Sequence, residues 1–142
     1  TRQLASRARR RVRGEYAVPD TDLAAHRKVV DAFLAAAREG DFEGLLEVLD
    51  PDVVLRADLG PAGGSRELRG ARAVAGQALF YSRLGLDTRP ALVNGALGGV
   101  STRDGEPFAV GGYTVRGGKI VEIDILADPE RLRHLDLTIL DD

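Results

Sequence analysis

Three residues of this chain have the side chains needed for proton transfer next to a carbonyl group. Asp58 and Asp124 are carboxylates at the end of, or within, apolar runs, and Tyr113 is a phenol in a third apolar run. A desolvated carboxylate abstracts a proton, and a phenol donates a hydrogen bond to the enolate oxygen that develops. No catalytic motif links the three residues. We therefore favour the alternative in which Asp58 caps a loop and Asp124 is a surface acid.

The N-terminal end of the chain is strongly cationic, although the whole chain has a formal net charge of −2. Residues 1–14 contain six arginines, and Leu4, Ala8 and Val12 form a thin apolar stripe at four-residue spacing. This pattern predicts a basic helix over 1–13. Its arginines would contact DNA phosphates, which position a protein without specifying sequence; the alternative is a solvated charged helix. The candidate DNA-binding residues are Arg7, Arg9, Arg10, Arg11 and Arg13.

The rest of the composition argues against several other kinds of site. The chain has no cysteine, and its two histidines, His26 and His134, are far apart in polar segments, so we expect no metal site. The glycine-rich stretch 59–69 lacks the spacing of a phosphate-binding loop, and we expect no cofactor. No apolar run approaches the roughly 20 residues that cross a bilayer, so we expect no membrane partner.

Pro19 and the residues around it divide the chain. Because proline disfavours a helix at the preceding residue, we interpret residues 14–20 as a linker between the basic helix and one domain over 21–142. The chain begins with Thr1 instead of an initiator methionine. We therefore expect it to be either a processed chain or a piece of a longer protein.

Within the domain, helices are predicted first and a sheet afterwards. Asp104-Gly105 and Gly117-Gly118 indicate hairpin turns. This order favours an α+β fold in which a curved antiparallel sheet wraps round a long helix and encloses a conical cavity that suits a small molecule. In chain order we predict a long helix within 20–41 capped by Asp20 or Thr21, a short helix capped by Asp41, a strand over Asp52–Asp58, a loop over 59–69, a third helix from Gly70, four β runs between 88 and 128, and a C-terminal helix capped by Asp128.

Alternation of side chains along the predicted strands indicates which residues face the core. In the last β run, Val121, Ile123 and Ile125 form the more apolar face, and Asp124 lies on the other. The leucines that follow Asp128 are too numerous for a free tail, and we expect them to cover the sheet. Apolar candidates for the core or the cavity wall are Phe33, Leu55, Phe80, Tyr81, Phe108, Val110 and Tyr113.

The order of elements, together with the stretch VVDAFLAAAREGDFEGLLEVLDPDVVLRAD at 29–58, resembles the SnoaL-like branch of the nuclear-transport-factor-2-like superfamily. The stretch GGKIVEIDIL at 117–126 is similar to that family's last strand. The resemblance covers 22–128 and implies the cone-shaped fold. It leaves the activity open, because the superfamily includes isomerases, cyclases, dehydratases and domains without chemistry.

The flanking segment RQLASRARRRVR at 2–13 resembles the last helix of sigma region 4, the helix-turn-helix module that reads promoter DNA. A basic helix joined by a short linker to a SnoaL-like domain resembles one architecture in particular. It is that of extracytoplasmic-function sigma factors with a C-terminal SnoaL-like extension.

Two short elements of those sigma factors have counterparts here. Their Asp-Gly-Gly-Gly-Lys element corresponds to 58–66, where an insertion splits the glycines and arginine replaces lysine. Their Asn-Pro-Asp-Lys-Leu element corresponds to 128–132. The candidate interaction residues are Asp58, Gly63, Gly64 and Arg66 in the first element, and Asp128, Pro129, Arg131 and Leu132 in the second.

The resemblance implies a cytoplasmic, bacterial, non-enzymatic function. The domain would act on sigma regions 2 and 4 of the same chain, and through them on the RNA polymerase core and promoter DNA, with small-ligand sensing as a further expectation. The rival interpretation is an isomerase or cyclase that uses Asp58 or Asp124 as its base. A third interpretation is a dimerisation module that forms a homodimer.

Overall fold

The computed structural model describes residues 23–140. The predicted basic helix with its five candidate arginines (Arg7, Arg9, Arg10, Arg11 and Arg13), the predicted linker and the predicted cap at Asp20 or Thr21 lie outside the described residues. In chain order the elements are α1 (Leu23–Glu39), α2 (Phe42–Val48), β1 (Leu49–Asp58), α3 (Gly60–Gly63), β2 (Ser65–Arg69), α4 (Ala71–Arg83), β3 (Asp87–Val93), β4 (Ala96–Arg103), β5 (Glu106–Arg116), β6 (Lys119–Leu126), α5 (Pro129–Leu132) and β7 (Leu137–Ile139).

The strands form one sheet in the order β2-β1-β6-β5-β4-β3-β7. The α+β fold with a curved sheet round a long helix is confirmed. The sheet is mixed, however, because β1 runs parallel to β6 while the other pairs are antiparallel. Register shifts in the β1–β6, β4–β5 and β5–β6 pairs mark bulges, which bend strands and increase their twist.

The turns between the antiparallel strands contain residue types that are typical of two-residue hairpin turns. Both predicted hairpins are confirmed, and Asp104 and Gly105 have φ values of 54° and 82°, which match a two-residue turn with two positive φ angles. Asn94 and Gly95 form a further hairpin of the same kind between β3 and β4, with φ values of 50° and 85°.

The helices α1, α2 and α4 pack on one side of the sheet, which we call the inner face. In α1, Val30, Phe33 and Leu34 recur at helical spacing and are buried against that face. The Asp41 carboxylate accepts a hydrogen bond from the Gly44 amide at 3.0 Å and begins α2, as predicted. The inner core consists of Val30, Phe33, Leu34, Ala36, Leu45, Leu49, Val53, Leu55, Ala57, Val74, Ala75, Val115, Ile120 and Ile123.

The predicted face assignment in β6 is correct at its C-terminal end and wrong at its start. Ile123 and Ile125 pack in or against the inner core, as expected. Val121 has no directly paired residue in β5, because the register moves from Val115–Ile120 to Thr114–Glu122. This bulge turns Ile120 into the core in place of Val121.

The prediction of a loop over 59–69 is wrong. Residues 60–63 form a helical turn, and residues 65–69 form β2, which pairs with β1 from Asp58–Ser65 to Val54–Arg69. The side chains of β2 are mostly exposed and charged. This composition suits an edge strand, whose charges discourage pairing with other chains, but it leaves no apolar alternation for a sequence pattern to detect.

The C-terminal helix is shorter than predicted. Asp128 caps α5 and Pro129 is its first residue, as expected, but the helix ends at Leu132 and the chain continues into the edge strand β7. Leu132 is buried against the side of the sheet opposite α1, α2 and α4, which we call the outer face. The leucines therefore cover the sheet, as predicted. This outer cluster consists of Ala91, Val100, Val110 and Leu132, with Val93, Leu126, Leu135 and Leu137 packed against it.

Candidate functional site

A groove of about 880 Å³ opens on the outer face. We call it the outer groove. Its floor comes from β1, β6, β5 and β4, and its walls come from the segment after β1 and from the segment around α5. The lining residues are Arg56, Ala57, Asp58, Gly60, Gly64, Ser65, Arg66, Glu67, Val93, Asn94, Ala96, Leu97, Gly98, Val110, Gly111, Gly112, Asp124, Ile125, Leu126, Arg131, His134 and Leu135.

Glycines shape the floor of this groove. Gly98 in β4 pairs with Gly112 in β5, and the next pair along the strands is Gly99 with Gly111. A Cβ atom at Gly98 would clash with the Gly111 carbonyl oxygen, whereas a Cβ at Gly112 would meet nothing within 4 Å. The absence of side chains from this pair leaves the main chain of the sheet open to a partner.

An ion pair joins the two walls of the groove. The Arg131 guanidinium donates to the Asp58 carboxylate at 2.5 Å, and both side chains are partly exposed. The Gly60 amide donates to the same carboxylate at 3.0 Å. The Gly60 amide and the Arg131 guanidinium lower the pKa of Asp58 below its ordinary value, so the carboxylate is ionised at neutral pH.

Main-chain contacts hold the same two segments together. The Ala127 amide donates to the Asp58 carbonyl at 2.8 Å and joins the two segments, while the Asp128 carboxylate caps α5 by accepting from the Glu130 amide at 3.2 Å. A Cβ at Gly60 would lie 2.9 Å from the Asp128 carboxyl carbon, and Gly60 also has a φ of 84°. Glycine at this position therefore allows the turn after β1 to contact the cap of α5.

The structure brings the two predicted interaction elements together. Asp58, Gly64, Arg66 and Arg131 line the outer groove. The remaining predicted interaction residues do not line it: Gly63, Asp128, Pro129 and Leu132. Asp128 and Pro129 shape the start of α5, and Leu132 anchors it to the sheet.

A second charged cluster lies on the floor at the β1–β6 pair. The Arg56 guanidinium is 3.9 Å from the Glu122 carboxylate and 3.7 Å from the Asp124 carboxylate. The Glu122 side chain is 9% exposed and that of Asp124 is 13% exposed. Arg56 was not among the candidate residues predicted from the sequence. Its position two residues before Asp58 could have indicated it, because residues two apart on a strand lie on the same face of the sheet.

The residues considered for proton transfer are not brought together. Tyr113 lies on the inner face, where its ring centroid is 5.8 Å from that of Phe33, and burial raises the pKa of its hydroxyl. Asp58 and Asp124 line the groove on the outer face, and each is ion-paired with an arginine. A carboxylate base and a phenol donor facing each other across one cavity are therefore not formed by this trio.

Where the sequence predicts a cavity inside the cone, the part of the chain that the structure describes leaves two small voids. Their volumes are about 80 Å³ and 50 Å³, and Tyr113 and Tyr81 line both. Phe33 and Leu55 line the larger void, and Phe108 lines the smaller one. Val110 also lines the smaller void, whereas the predicted candidate Phe80 is 54% exposed.

Within residues 23–140, no three His, Asp or Glu side chains form a group that could hold a metal ion. His134 lines the outer groove, and its ring lies 3.4 Å from the Glu130 carboxylate. None of the helices in the same part of the chain is long and apolar enough to span a membrane.

Comparison with known proteins gives relatives along nearly the whole chain. The chain is 33% identical over 94% of its length to the probable ECF RNA polymerase sigma factor SigI of Mycobacterium tuberculosis, and 33% identical over 92% of its length to the ECF RNA polymerase sigma factor SigJ of the same organism. It spans 46% of each of these two relatives, which is about half of their length. No family model matches the chain.

Solved structures give the same result. The crystal structure of M. tuberculosis SigJ matches 92% of this chain and 49% of its own, with a TM-score of 0.61 at 31% identity. An NTF2-like protein of unknown function from Mesorhizobium loti matches 78% of this chain and 96% of its own, with a TM-score of 0.58 at 16% identity, which supports the fold alone. The chain is therefore homologous to extracytoplasmic-function RNA polymerase sigma factors, and its described part has a nuclear-transport-factor-2-like fold.

Proposed function

We propose that residues 21–142 are the C-terminal regulatory domain of a bacterial sigma factor. In this proposal the domain regulates transcription initiation at specific promoters by holding sigma regions 2 and 4, which precede it in the same polypeptide. The outer groove is the contact surface, and the domain has no catalytic role of its own. Residues 1–13, for which the sequence predicts a basic helix, are in this proposal the end of region 4, and residues 14–20 are the linker.

The observation that carries this proposal is the Asp58–Arg131 ion pair. It joins the two segments that resemble the short elements of the sigma factor family, and both segments border one large groove. The parallel pairing of β1 with β6 brings these two segments, which are 73 residues apart at the ion pair, to one surface. A groove lined by both apolar and charged side chains also suits a protein segment, since such surfaces combine buried area with directional polar contacts.

The partners of the whole protein follow from this role. A sigma factor acts in the cytoplasm with the RNA polymerase core and promoter DNA. Arg7, Arg9, Arg10, Arg11 and Arg13 would contribute phosphate contacts to promoter binding. These contacts position the protein on DNA, while other parts of region 4 read the sequence.

The test is made in the full-length sigma factor, with transcription from its own promoter as the readout. Deletion of residues 21–142 is expected to change transcript level strongly, in either direction. Arg131→Ala removes the ion pair and one groove wall contact, and we expect it to change transcript level in the same direction by about threefold or more, since a lost charged contact is worth roughly 1 kcal/mol.

The matched control is Arg133→Ala. Arg133 lies next to α5 and pairs only locally with Glu130, and it does not line the groove. We expect this variant to transcribe like the parent. Unchanged transcription after both the deletion and Arg131→Ala would overturn the proposal, and so would equal effects of Arg131→Ala and Arg133→Ala.

An isomerase or cyclase has weaker support than the regulatory role. Asp58 and Asp124 lie on the face of the sheet opposite Tyr113, and each lies beside an arginine. The Arg131 guanidinium favours the ionised, hydrogen-bonded form of Asp58 over that of a desolvated base. The homodimer stays a prediction, and light scattering on the 142-residue chain tests it.

A further inference from the structure

One row of paired residues in the floor of the outer groove runs from two glycines to a carboxylate. Gly98 in β4 pairs with Gly112 in β5, and Gly112 pairs in turn with Asp124 in β6. Because directly paired residues lie on the same face of a sheet, the Asp124 carboxylate stands at the end of a strip of main chain, which we call the glycine strip. An arginine side chain fits along such a strip, since its apolar stem packs on the surface while its guanidinium reaches the carboxylate.

The next row on the same face is apolar. Val110 in β5 pairs with Leu126 in β6, and both residues line the groove. The glycine strip and this apolar row therefore lie side by side. Such a surface fits an amphipathic segment that presents apolar and arginine side chains together.

The carboxylates at the end of the glycine strip outnumber the arginine beside them. Asp124 and Glu122 lie two residues apart in β6, on the same face, and the Arg56 guanidinium is 3.7 Å from the first carboxylate and 3.9 Å from the second. Both distances exceed the roughly 2.7–2.9 Å of a tight charged hydrogen bond. Arg66 in β2 does not correct the excess, because it pairs with Ala57, whose side chain belongs to the inner core.

The other carboxylates that line the groove are each matched by an arginine. Asp58 pairs with Arg131, and Glu67 pairs with Arg69 at 2.7 Å. Among the residues that the structure describes, this part of the groove therefore carries one more carboxylate than guanidinium groups. A cationic segment complements that charge.

Residues 2–13 of the same chain have the matching chemistry. They contain six arginines and no acid, and Leu4, Ala8 and Val12 form an apolar stripe at four-residue spacing. Residues 14–22 join this segment to α1 and span at most about 30 Å, whereas a domain of this size has a radius of gyration of about 13 Å. The segment is therefore able to reach the groove. A tether of this length gives an effective concentration on the order of millimolar, so even a weak contact is populated.

We propose that residues 2–13 dock in the outer groove of their own chain, with the apolar stripe against Val110 and Leu126 and one arginine along the glycine strip at Asp124. The groove and DNA phosphates then compete for the same arginines, so docking lowers sequence-independent binding to DNA. The identity of this segment as the end of sigma region 4, and any consequence for transcription, rest on the proposed function. Docking and the competition with DNA do not depend on it.

Paramagnetic broadening of amide resonances tests the docking in the 142-residue chain. The chain has no cysteine, so Ser6→Cys, outside the apolar stripe, carries a single nitroxide label. We expect the label to broaden the Gly98 and Gly112 resonances far more than that of Gly44 in α2. Gly44 lies within 39–52, a stretch with six acids and no base, so stronger broadening there would place the segment on that stretch and overturn the groove. Absence of selective broadening at Gly98 and Gly112 would overturn it as well.

A mixed sample distinguishes docking within one chain from docking on a second copy. Spin-labelled chains without nitrogen-15 are mixed with nitrogen-15 chains that carry no spin label. The Gly98 and Gly112 resonances should stay sharp in this mixture. Broadening there would show that the segment binds another copy, and it would overturn docking within the chain.

Gly112→Leu tests the location by blocking the glycine strip. The Cβ of the new side chain meets nothing within 4 Å, so the side chain enters the groove without a clash in the sheet. We expect it to remove the broadening at Gly98. It should also tighten binding of a random-sequence DNA duplex at low salt by about three- to tenfold, because the docked fraction no longer withholds the arginines. Persistent broadening or unchanged DNA affinity in a folded Gly112→Leu variant would overturn the proposal.

The matched control is Gly76→Leu in α4, where a Cβ also meets nothing within 4 Å and which does not line the groove. It should keep the broadening at Gly98 and the parental DNA affinity. Loss of the broadening in this control would show that the effect of Gly112→Leu is not specific to the groove, and it would overturn the location.

Asp124→Asn tests the arginine contact without adding volume. It should tighten DNA binding more than Asp87→Asn, which removes the same charge from a position outside the groove. Equal effects of the two variants would overturn the contact at Asp124. None of these measurements involves transcription, so failure of the docking and failure of the regulatory role are distinguishable.

Discussion

The two faces of the one sheet differ in what they hold. The inner face is covered by α1, α2 and α4, and the voids left there measure only about 80 Å³ and 50 Å³. The outer face is covered at one end by α5 and the chain after it, and elsewhere it opens into a groove of about 880 Å³. Because side chains alternate along a strand, the same strands supply both faces. Packing and recognition can therefore be altered separately by substitutions one residue apart.

Charged side chains are also distributed unequally between the inner and outer faces of the sheet. On the outer face, Arg56 faces two carboxylates and Arg131 pairs with Asp58. The described residues of the inner core are entirely apolar. Buried apolar area stabilises the fold without regard to direction, whereas ion pairs at partly exposed sites add little stability and considerable specificity. This contrast predicts large stability effects on the inner face and small ones on the outer face.

The largest effect is expected from Phe33→Ala on the inner face. Phe33 is 6% exposed and its ring contacts that of Tyr113. Removing a buried aromatic ring loses its transfer free energy and leaves a cavity, at a cost of about 3–5 kcal/mol. The free energy of unfolding, from urea denaturation, should fall by this amount. A loss below about 1 kcal/mol would show that the inner face is not the main core.

A smaller effect is expected from Leu132→Ala on the outer face. Leu132 is 7% exposed, but its cluster is small and includes partly exposed members. We expect a loss of about 2 kcal/mol, at the lower end of the range for buried leucine. Hydrogen exchange should accelerate in β7 more than in α1, because Leu132 anchors the segment that leads to β7. Exposed Ile139→Ala is the control and should cost less than about 0.5 kcal/mol.

Residue patterns predicted the inner face better than the outer one. The spacing of Val30, Phe33 and Leu34 indicated α1 and its buried side, because helical periodicity is read directly from the sequence. The outer groove has no such pattern. Its walls are a turn and a four-residue helix, and its floor depends on Gly98 lying opposite Gly112, which requires the register of two strands.

Local sequence patterns did not reveal the contacts between residues far apart in the chain either. Asp58 and Arg131 were both candidates, but their pairing over 73 residues follows from the parallel β1–β6 pair, which the sequence analysis did not anticipate. The strand β2 was missed because its exposed, charged side chains resemble a loop. The repeated Gly-Gly pair in neighbouring β runs was the one available signal for a floor without side chains.

Asp58→Asn tests the ion pair on the outer face and has a defined pH dependence. The folded protein lowers the pKa of Asp58 below 3.8, so the carboxylate contributes stability that is fully present above that pH and is lost as the pH falls through the lower, folded-state pKa. Both partners are more than a third exposed, so we expect only about 0.5–1 kcal/mol at pH 7.

The measurement is the free energy of unfolding of parent and Asp58→Asn between pH 2 and pH 7. The difference should shrink toward zero at the acid end. Asp87→Asn is the matched control, because Asp87 pairs at 2.9 Å with Arg89 only two residues away in an exposed position. It should change stability less than Asp58→Asn does. A difference for Asp58→Asn that grows as the pH falls would contradict the assigned pairing.

The smallest effect on stability is expected from Gly112→Ala, although it changes the groove floor directly. Its Cβ would meet nothing within 4 Å and its φ is not positive, so the methyl group adds neither clash nor strain, and the free energy of unfolding should change by less than about 0.5 kcal/mol.

Gly98, the cross-strand partner of Gly112, gives the contrast. Gly98→Ala would push the new methyl group into the Gly111 carbonyl oxygen and should cost about 1–3 kcal/mol. Urea denaturation of the two variants compares them directly. If the proposed regulatory contact occurs at this floor, Gly112→Ala should impair transcription by the full-length protein while leaving stability intact, and parental transcription would place the contact elsewhere on the outer face.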